Sequence, residues 1–296
     1  MSKHLLIYNP AAGRGKAGKM LADVEKTLQD KSIEYELYLT SSKGDALDYL
    51  RNVELENYQG VIASGGDGTL FEVVNGLLKN SGETIPIGIL PVGTGNSTAK
   101  DLDLETNGIE KALELIRSGK TREVDVGIFE LDGEQYYFIN ILGLGFVTDV
   151  IETAIKFKML GEAAYTIGVL FKTIFLKSYD LTIEIDDKKI SAPNILVEVS
   201  NTKYTGGNFL MAPDAKIDDG YLDINILHKL NRRRLLSIFP KLFKGTHIHE
   251  PEIEYLKGKK IRITTNPVKK ISPDGELFGT TPITIECLHK KIKLFG

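Results

Sequence analysis

The Gly-rich turn Gly65-Gly66-Asp67-Gly68-Thr69 follows the apolar run 60–63 and precedes the helix-like run 70–78. Because glycine has no Cβ, the turn lets backbone N–H groups approach a phosphate closely, and Thr69 would begin a helix whose amino terminus favours anions. Asp67 among such donors needs a cation to screen it, and Mg²⁺ is the natural candidate. A tight strand-to-helix turn with Asp67 as N-cap explains the same residues, so the turn alone leaves both interpretations open.

Two further Gly-rich turns follow apolar runs in the same third of the chain. Residues 9–18 follow the strand-like run 5–8, and residues 91–96 follow the run 85–90. Helix-like segments at 17–28, 45–50 and 70–78 alternate with these runs. The rhythm predicts an α/β domain with a parallel sheet, whose ligand-binding loops lie at the carboxyl ends of the strands. Two donor-rich loops at one sheet edge can hold a nucleotide from both sides.

The first of these turns resembles two nucleotide-binding signatures without completing either. Residues 13–18 match G-x-G-x-x-G, but the second strand ends in Thr40 instead of the acidic residue that would hold a ribose. The same stretch nearly forms a Walker loop, yet Met20 stands where Ser or Thr should bind magnesium. A flexible Gly/Lys loop near an anion, with Lys16 helping to neutralise phosphate, is the preferred interpretation.

From about residue 121 the pattern changes to short strand-like runs separated by turn-forming residues. These runs are 124–129, 136–142, 181–185, 195–200, 221–227 and 261–265. Helical stretches at 150–175 and 232–243 interrupt these runs. The apolar residues of 150–175 are interpreted as part of the core in preference to an acyl-chain groove. The pattern predicts a mostly antiparallel, β-sandwich-like second domain.

Composition limits the functional class. The chain has 296 residues, a formal charge of −3 and the single cysteine Cys287, which excludes a globally basic nucleic-acid binder and an internal disulfide. No signal peptide is visible, and the apolar region 160–176 carries Glu162 and Lys172, which makes it too polar for a spanning helix. We therefore expect a cytoplasmic protein without a nucleic-acid partner, which meets a membrane only from outside.

Two acidic motifs lie late in the chain. Asp218 and Asp219 precede Gly220, and with nearby backbone carbonyls they can supply hard oxygen ligands for Mg²⁺, although a solvated acidic turn explains them as well. Asp274-Gly275-Glu276 has the form of a hairpin turn. Phosphoryl transfer to an alcohol also needs a carboxylate near the attacking hydroxyl, so both interpretations stay open.

The segment 229–244 alternates basic and apolar residues. Such a basic amphipathic helix can rest on anionic lipid, or it can pack its apolar face on the β domain while its charges stay in water. A strand edge in the second domain would also allow a homodimer.

The ordered set of turns resembles a known family. Asn9-Pro10 with Gly13 and Gly15, then residues 65–69, then Pro91-Val92-Gly93-Thr94-Gly95-Asn96, resemble the diacylglycerol kinase catalytic domain. More narrowly, the chain resembles the soluble bacterial lipid kinases related to diacylglycerol and sphingosine kinases, and the likeness covers nearly the whole chain. It implies transfer of the γ-phosphate of ATP to a hydroxyl of diacylglycerol or a related lipid at the membrane surface.

The resemblance also implies roles for individual residues. Catalytic roles fall on Asp67, which organises Mg²⁺, on Glu276 as general base, and on Asp274 as its orienting or metal-linked neighbour. A structural Mg²⁺ site falls on the Asp219 side chain with backbone oxygens of Lys216 and Tyr221. The nucleotide-binding residues are Asn9, Thr40, Gly65, Gly66, Asp67, Gly68, Thr69, Leu70, Phe71, Glu72, Thr94 and Asn96. The implied domains are 1–125, to which 288–296 returns, and 126–287, with the lipid hydroxyl attacking from the cleft between them.

One departure and two alternatives accompany this expectation. Many relatives have an acidic residue after G-T-G-N, whereas this chain has Ser97, which removes one carboxylate from the magnesium–water network expected around Asp67. An NAD kinase uses a similar Gly-rich element and also phosphorylates a hydroxyl. A nucleotide- or lipid-binding protein that lost the chemistry is the alternative from another class.

Overall fold

The computed structural model of the chain describes residues 3–80, 85–104, 108–156 and 163–296, without the side chains of 154–156 and 163–165. The chain divides into two compact units. The first contains Met1–Val124 and Lys290–Gly296, and the second contains Asp125–His289. Within the described ranges, every helix is too short or too polar to span a bilayer.

The first unit alternates strands and helices. In chain order it contains β1 Lys3–Tyr8, α1 Lys16–Asp30, β2 Tyr35–Leu39, α2 Asp45–Asn52, β3 Tyr58–Gly65, α3 Asp67–Asn80, β4 Ile87–Pro91, α4 Ser97–Asp101 and α5 Ile109–Ser118.

Its strands form a parallel sheet in the order β2-β1-β3-β4. Residues Leu5 to Tyr8 of β1 are completely buried, as expected for a central parallel strand that is covered on both faces. The chain end joins the same sheet, since Leu294 pairs in parallel with Ile87 of β4. Because β1, β3 and β4 are adjacent and parallel, the three Gly-rich turns that follow them lie at one edge of the sheet.

The second unit is richer in strands. In chain order its elements are β5 Thr121–Leu131, which begins in the first unit, β6 Glu134–Phe138, β7 Ile141–Gly145, α6 Phe146–Lys156, α7 Ala163–Ile174, β8 Tyr179–Ile185, β9 Lys188–Ser200, β10 Tyr204–Thr205, β11 Phe209–Leu210, β12 Leu222–His228, α8 Arg232–Ile238, β13 Ile253–Gly258, β14 Lys260–Asn266, β15 Ile271–Pro273 and β16 Ile283–Phe295. The last residues of β16 belong to the first unit.

The strand pairs of this unit are antiparallel. Strand β9 is central: its second half pairs with both β7 and β12, and its first half pairs with β8, which in turn pairs with β14. Alternate residues such as Val197 and Val199 of β9 and Ile224 of β12 enter one apolar core. Leu227 of the opposite face and Ile195, which lies at a register shift of β9 against β12, pack with α6, α7 and α8 in a second cluster. Helices therefore cover the face of β9 and β12 that turns away from the main core.

The predicted fold class is confirmed, but three predicted elements were wrong in detail. The run 136–142 is two strands, because the chain bends at Ile139 and Asn140, whose amides donate to the Asp274 carboxylate instead of continuing a ladder. The run 150–175 contains α6 and α7, and the residues between them lie outside the described part. The stretch 232–243 is α-helical only to Ile238; a 3-10 helix then carries Pro240, which lacks the N–H that an α-helix interior uses.

Candidate active site

The three Gly-rich turns of the first unit are tied to one another by hydrogen bonds. The Asn9 side chain donates to Thr69 Oγ1 over 3.0 Å, and the Asn9 backbone N–H donates to the Ser64 carbonyl over 2.9 Å. The Gly93 N–H donates to the Gly65 carbonyl over 3.0 Å. The prediction that these loops meet at one sheet edge is therefore matched by contacts between all three strand ends.

The glycines of these turns are required by close packing. A Cβ at Gly65 would lie 2.2 Å from Thr69 Oγ1, and a Cβ at Gly93 would lie 2.4 Å from the Gly66 Cα. At Gly13 the backbone has φ +58°, and a Cβ would lie 2.8 Å from the Val92 carbonyl oxygen. The backbones of the three turns thus approach so closely that side chains at these positions would force them apart.

Asp67 uses its carboxylate to hold a neighbouring helix. Its two oxygens accept hydrogen bonds from the backbone N–H of Ser97, over 3.0 Å, and of Thr98, over 3.1 Å, at the start of α4. These bonds cap α4, whose own N-cap residue Asn96 makes no side-chain cap bond and has φ +48°. The open interpretation of Asp67 as N-cap of the helix that follows its own turn differs from this, because the carboxylate binds the start of α4 across the loop contact. Each oxygen keeps a second lone pair, so the residue still fits a role as acceptor from magnesium-bound water.

The other predicted nucleotide-binding residues of the first unit differ in their burial and their contacts. Glu72 is engaged at the start of α2, where it accepts from the N–H of Gly44 over 2.8 Å and of Ala46 over 3.2 Å. Thr40 is buried and donates its backbone N–H to Tyr8, which places it at the same sheet edge. Gly68 and Thr69 lie in the first turn of α3.

The side chains of Leu70 and Phe71 are buried in the core of the unit, so only their backbone is suited to contact a ligand. Thr94 is exposed, whereas Asn96 is buried. The Asn96 amide donates to the carbonyls of Pro91 and Gly93, and its Oδ1 has no hydrogen-bond partner among the described residues. Asn96 therefore shapes the third turn.

In the second unit, Asp274 and Glu276 lie on one tight turn. The turn is closed by the Glu276 N–H, which donates to the Pro273 carbonyl over 2.9 Å, and its central residues Asp274 and Gly275 have φ +46° and +86°. Positive φ at both positions defines a type I′ hairpin turn. The hairpin interpretation of this motif was correct, and it is compatible with a catalytic role for Glu276, which is only half-buried.

Asp274 anchors this turn to strand β7. Its carboxylate accepts from the backbone N–H groups of Ile139, Asn140 and Ile141 over 2.9 to 3.1 Å, and its own N–H donates to the Ile141 carbonyl. Three charge-assisted hydrogen bonds hold a carboxylate firmly. The contacts that Asp274 makes are thus those of a positioning residue for the turn that carries Glu276.

The acidic segment before β12 is also held by hydrogen bonds. Asp219 accepts from the Tyr221 N–H over 3.1 Å and from the Lys257 ammonium over 2.9 Å, while Lys216 and Tyr221 are exposed. Burial alone would lower the pKa of Lys257, but its hydrogen bond to Asp219 and the charges of Asp223 and Asp219 outweigh this and raise it. The donor types fit Mg²⁺, yet Lys257 competes for the same carboxylate. Among the described residues, no three His, Cys, Asp or Glu side chains form a metal-binding group.

Three buried acids of the second unit, Asp125, Glu198 and Asp223, were absent from the predicted site. Asp125 is fully buried and accepts from the Gly220 N–H over 2.6 Å, with His289 Nδ1 2.9 Å from its other oxygen, so it fixes the loop that carries Asp219. Glu198 lies on β9 and is 1% exposed. The sequence shows Glu198 as an acid inside the apolar run 195–199, but it does not show which residues contact this acid in the fold.

Comparison with known proteins identifies the family of this arrangement. Residues 3–129 match the model of the diacylglycerol kinase catalytic domain, and residues 141–296 match that of the YegS C-terminal NAD kinase beta sandwich-like domain. A diacylglycerol kinase of Bacillus subtilis is 32% identical over 99% of this chain and 95% of its own length. A diacylglycerol kinase of Staphylococcus saprophyticus is 34% identical over 98% of this chain and 94% of its own length.

Solved structures agree with these relatives. The crystal structure of a diacylglycerol kinase from Bacillus anthracis is 25% identical and covers 99% of this chain and 96% of its own, with a TM-score of 0.74. The likeness extends over 99% of this chain and therefore includes both units. The chain belongs to the diacylglycerol kinase family.

Proposed function

We propose that the chain is an ATP-dependent lipid kinase that transfers the γ-phosphate of ATP to a hydroxyl of diacylglycerol or a related lipid. The observation that carries this proposal is the set of three Gly-rich turns bonded at one sheet edge, where backbone N–H groups can surround phosphates. Membership of the family supports the same conclusion.

In this proposal the nucleotide phosphates lie over the turn 65–69, with Asn9, Thr40 and the turn 91–96 beside them. Asp67 has a carboxylate fixed by α4, and it would orient water molecules bound to Mg²⁺. When bound, Mg²⁺ neutralises charge on the phosphates. The glycines supply the close backbone approach, and Glu72 contributes by fixing the start of α2.

Glu276 is proposed as the general base that accepts the proton of the lipid hydroxyl. A positioned base of this kind contributes about 10²- to 10⁴-fold to the rate. Asp274 holds the turn against β7 and so fixes where the Glu276 carboxylate can reach. The structure therefore favours the orienting role of Asp274 over a metal-linked one.

A second Mg²⁺ is proposed at the loop 216–221, on the Asp219 carboxylate and the backbone oxygens of Lys216 and Tyr221. Asp125 supports the loop by accepting from the Gly220 N–H. The Lys257 ammonium, which donates to Asp219 over 2.9 Å, competes with the ion for the charge of this carboxylate.

Contact with the membrane is proposed to be peripheral, at the cytoplasmic face. In the basic segment 229–244, Arg234 is paired with Glu250 and Glu252, and Lys241 with Glu250, so these two cations support the fold. Leu236 and Phe243 are exposed beside the remaining cations of the segment, which suits an anionic lipid surface. The homodimer stays a prediction.

The decisive experiment is transfer of labelled phosphate from ATP to a panel of diacylglycerol, sphingoid base, NAD and a total-lipid extract. NAD belongs in the panel because residues 141–296 match an NAD kinase-like domain. Phosphorylated lipid with wild-type protein, and its loss with Glu276→Gln, supports the proposal. Labelled NAD, or ATP binding without transfer to any acceptor, would replace it with one of the alternatives.

A further inference from the structure

A buried asparagine, Asn201, follows the last residue of β9 and is 1% exposed. Its side-chain nitrogen donates two hydrogen bonds, to the Asp125 carbonyl over 2.8 Å and to the Ile139 carbonyl over 2.9 Å. Because a carbonyl oxygen only accepts, the Nδ2 end of the amide must face both partners, which fixes the orientation of the side chain. Asn201 therefore ties strand β5 to the bend between β6 and β7.

The bend at residues 139–141 is held from two sides. On one side its three N–H groups donate to the Asp274 carboxylate over 2.9 to 3.1 Å. On the other side the Ile139 carbonyl accepts from the Asn201 side chain, and the Asn140 carbonyl accepts from the Asn201 backbone N–H over 2.8 Å. Asp274 thus binds the N–H groups of the bend, and Asn201 binds its carbonyl groups.

Two peptide groups of the bend carry both kinds of bond. The peptide group 139–140 accepts from Asn201 Nδ2 at its oxygen and donates to Asp274 Oδ1 at its nitrogen. The peptide group 140–141 accepts from the Asn201 N–H and donates to the same Oδ1. Hydrogen bonds in such a chain polarise one another, and a planar group bonded at both ends cannot rotate without breaking one bond. Asn201 therefore fixes the direction in which these two N–H groups meet Asp274.

Burial makes this arrangement difficult to replace by water. Asn140 is 2% exposed and Asp274 is 5% exposed, so a carbonyl of the bend that lost its donor would keep the cost of its desolvation. Asn201 Oδ1 has no hydrogen-bond partner among the residues that the structure describes. The side chain therefore contributes through its two N–H donors, both of which point at backbone carbonyls.

We propose that Asn201 is a positioning residue for Glu276. The Asp274 carboxylate, which Asn201 orients through the bend, also holds the turn 274–276 that carries the base. The inference rests on the proposed function and deepens it, because it extends the support of the general base beyond Asp274. Loss of the two donors would let the bend and the turn shift, and a displacement of about 1 Å at a reacting group costs about a hundredfold in rate.

The test compares Asn201→Ala with the matched control Thr202→Val. Thr202 is also 1% exposed, and its hydroxyl donates to Asn140 Oδ1, at the side chain and not at a peptide group of the bend. Both variants lose buried hydrogen bonding and should lower the melting temperature by a few degrees. Only Asn201→Ala should lower kcat for the lipid, by about ten- to a hundredfold, with the KM for ATP unchanged. Asn201→Ser keeps one donor, should give an intermediate loss, and serves in place of Asn201→Ala if that variant does not fold.

A double-mutant cycle with Glu276→Gln separates positioning from a general loss of structure. If Asn201 acts through Glu276, Asn201→Ala should change kcat by less than about twofold once the base is absent. An equal loss of kcat in both backgrounds, or an equal loss with Thr202→Val, overturns the inference.

Hydrogen exchange resolved by residue tests the same inference without turnover. The amide hydrogens of residues 139–141 and of Glu276 should exchange faster in Asn201→Ala than in Thr202→Val, and equal rates in the two variants overturn the inference. Absence of any lipid phosphorylation by the wild type refutes the proposed function, whereas the exchange rates still decide whether Asn201 holds the turn that carries Glu276.

Discussion

The pH dependence of stability should reveal the buried Glu198 directly. Burial raises the pKa of this carboxyl group from 4.5 to about 8 in the folded protein. Below about pH 4.5 both the folded and the unfolded chain hold the proton, so the group adds no pH dependence. Between 4.5 and 8 only the folded chain holds it, and the free energy of unfolding should fall by about 1.4 kcal/mol per pH unit. Over the full window the loss is about 5 kcal/mol, a large share of the stability of an ordinary domain.

The perturbation that isolates this effect is Glu198→Gln, which keeps size and hydrogen-bonding capacity but cannot ionise. Urea unfolding of both proteins at pH 5, 6, 7 and 8 gives the free energy of unfolding at each pH, and other titrating groups cancel in the difference. We expect the free energy of unfolding of the variant to rise relative to that of the wild type with each pH unit. Glu184→Gln, which removes an exposed acid paired with Lys189, is the control and should give a small difference of nearly constant size. A constant difference for Glu198→Gln would refute the argument.

Three further predictions concern the proposed active site. Glu276→Gln should lower kcat for the lipid by about 10²- to 10⁴-fold with little change in KM for ATP, and near-normal turnover in steady-state assays would exclude it as the base. Gly93→Ala should cost about 2 kcal/mol of stability and weaken ATP binding, because its Cβ would lie 2.4 Å from the Gly66 Cα. Gly66→Ala, whose Cβ would lie 3.5 Å from the Gly93 Cα, is the matched control for stability. Equal melting temperatures of the two variants would contradict the packing argument. Lys257→Met should tighten Mg²⁺ binding about three- to tenfold in calorimetry by removing the competing ammonium, and unchanged affinity would argue against a metal on Asp219.

Sequence reasoning predicted the features that local chemistry determines. Each Gly-rich turn follows an apolar run, so the parallel sheet and the edge that holds the turns could be predicted from the order of the segments. The Asp-Gly pair at 274–275 predicted a hairpin turn, and the structure has a type I′ turn there. Pattern alone also separated the α/β part from the strand-rich part of the chain.

Long-range partners could not be predicted in this way. The break at Ile139 follows from a carboxylate more than 130 residues later in the chain, and the partners of Asp67 lie about 30 residues away. Glu198 is visible as an acid in an apolar strand, but only the register of β9 against β12 places it opposite Asn225. These contacts depend on which strands meet, and composition and periodicity do not specify that.

In each unit, taken by itself, buried or half-buried acids of the predicted site or its supporting loops hold backbone in place. Asp67 accepts from two amides of α4, Glu72 from two at α2, and Asp274 from three at β7, while Asp125 fixes the loop at Gly220. A carboxylate that accepts hydrogen bonds from several N–H groups is held in one orientation. Glu276, whose turn is fixed by Asp274, stays the base of the proposal. The missing acid at Ser97 matters little for capping, since it is the Ser97 backbone N–H that binds Asp67.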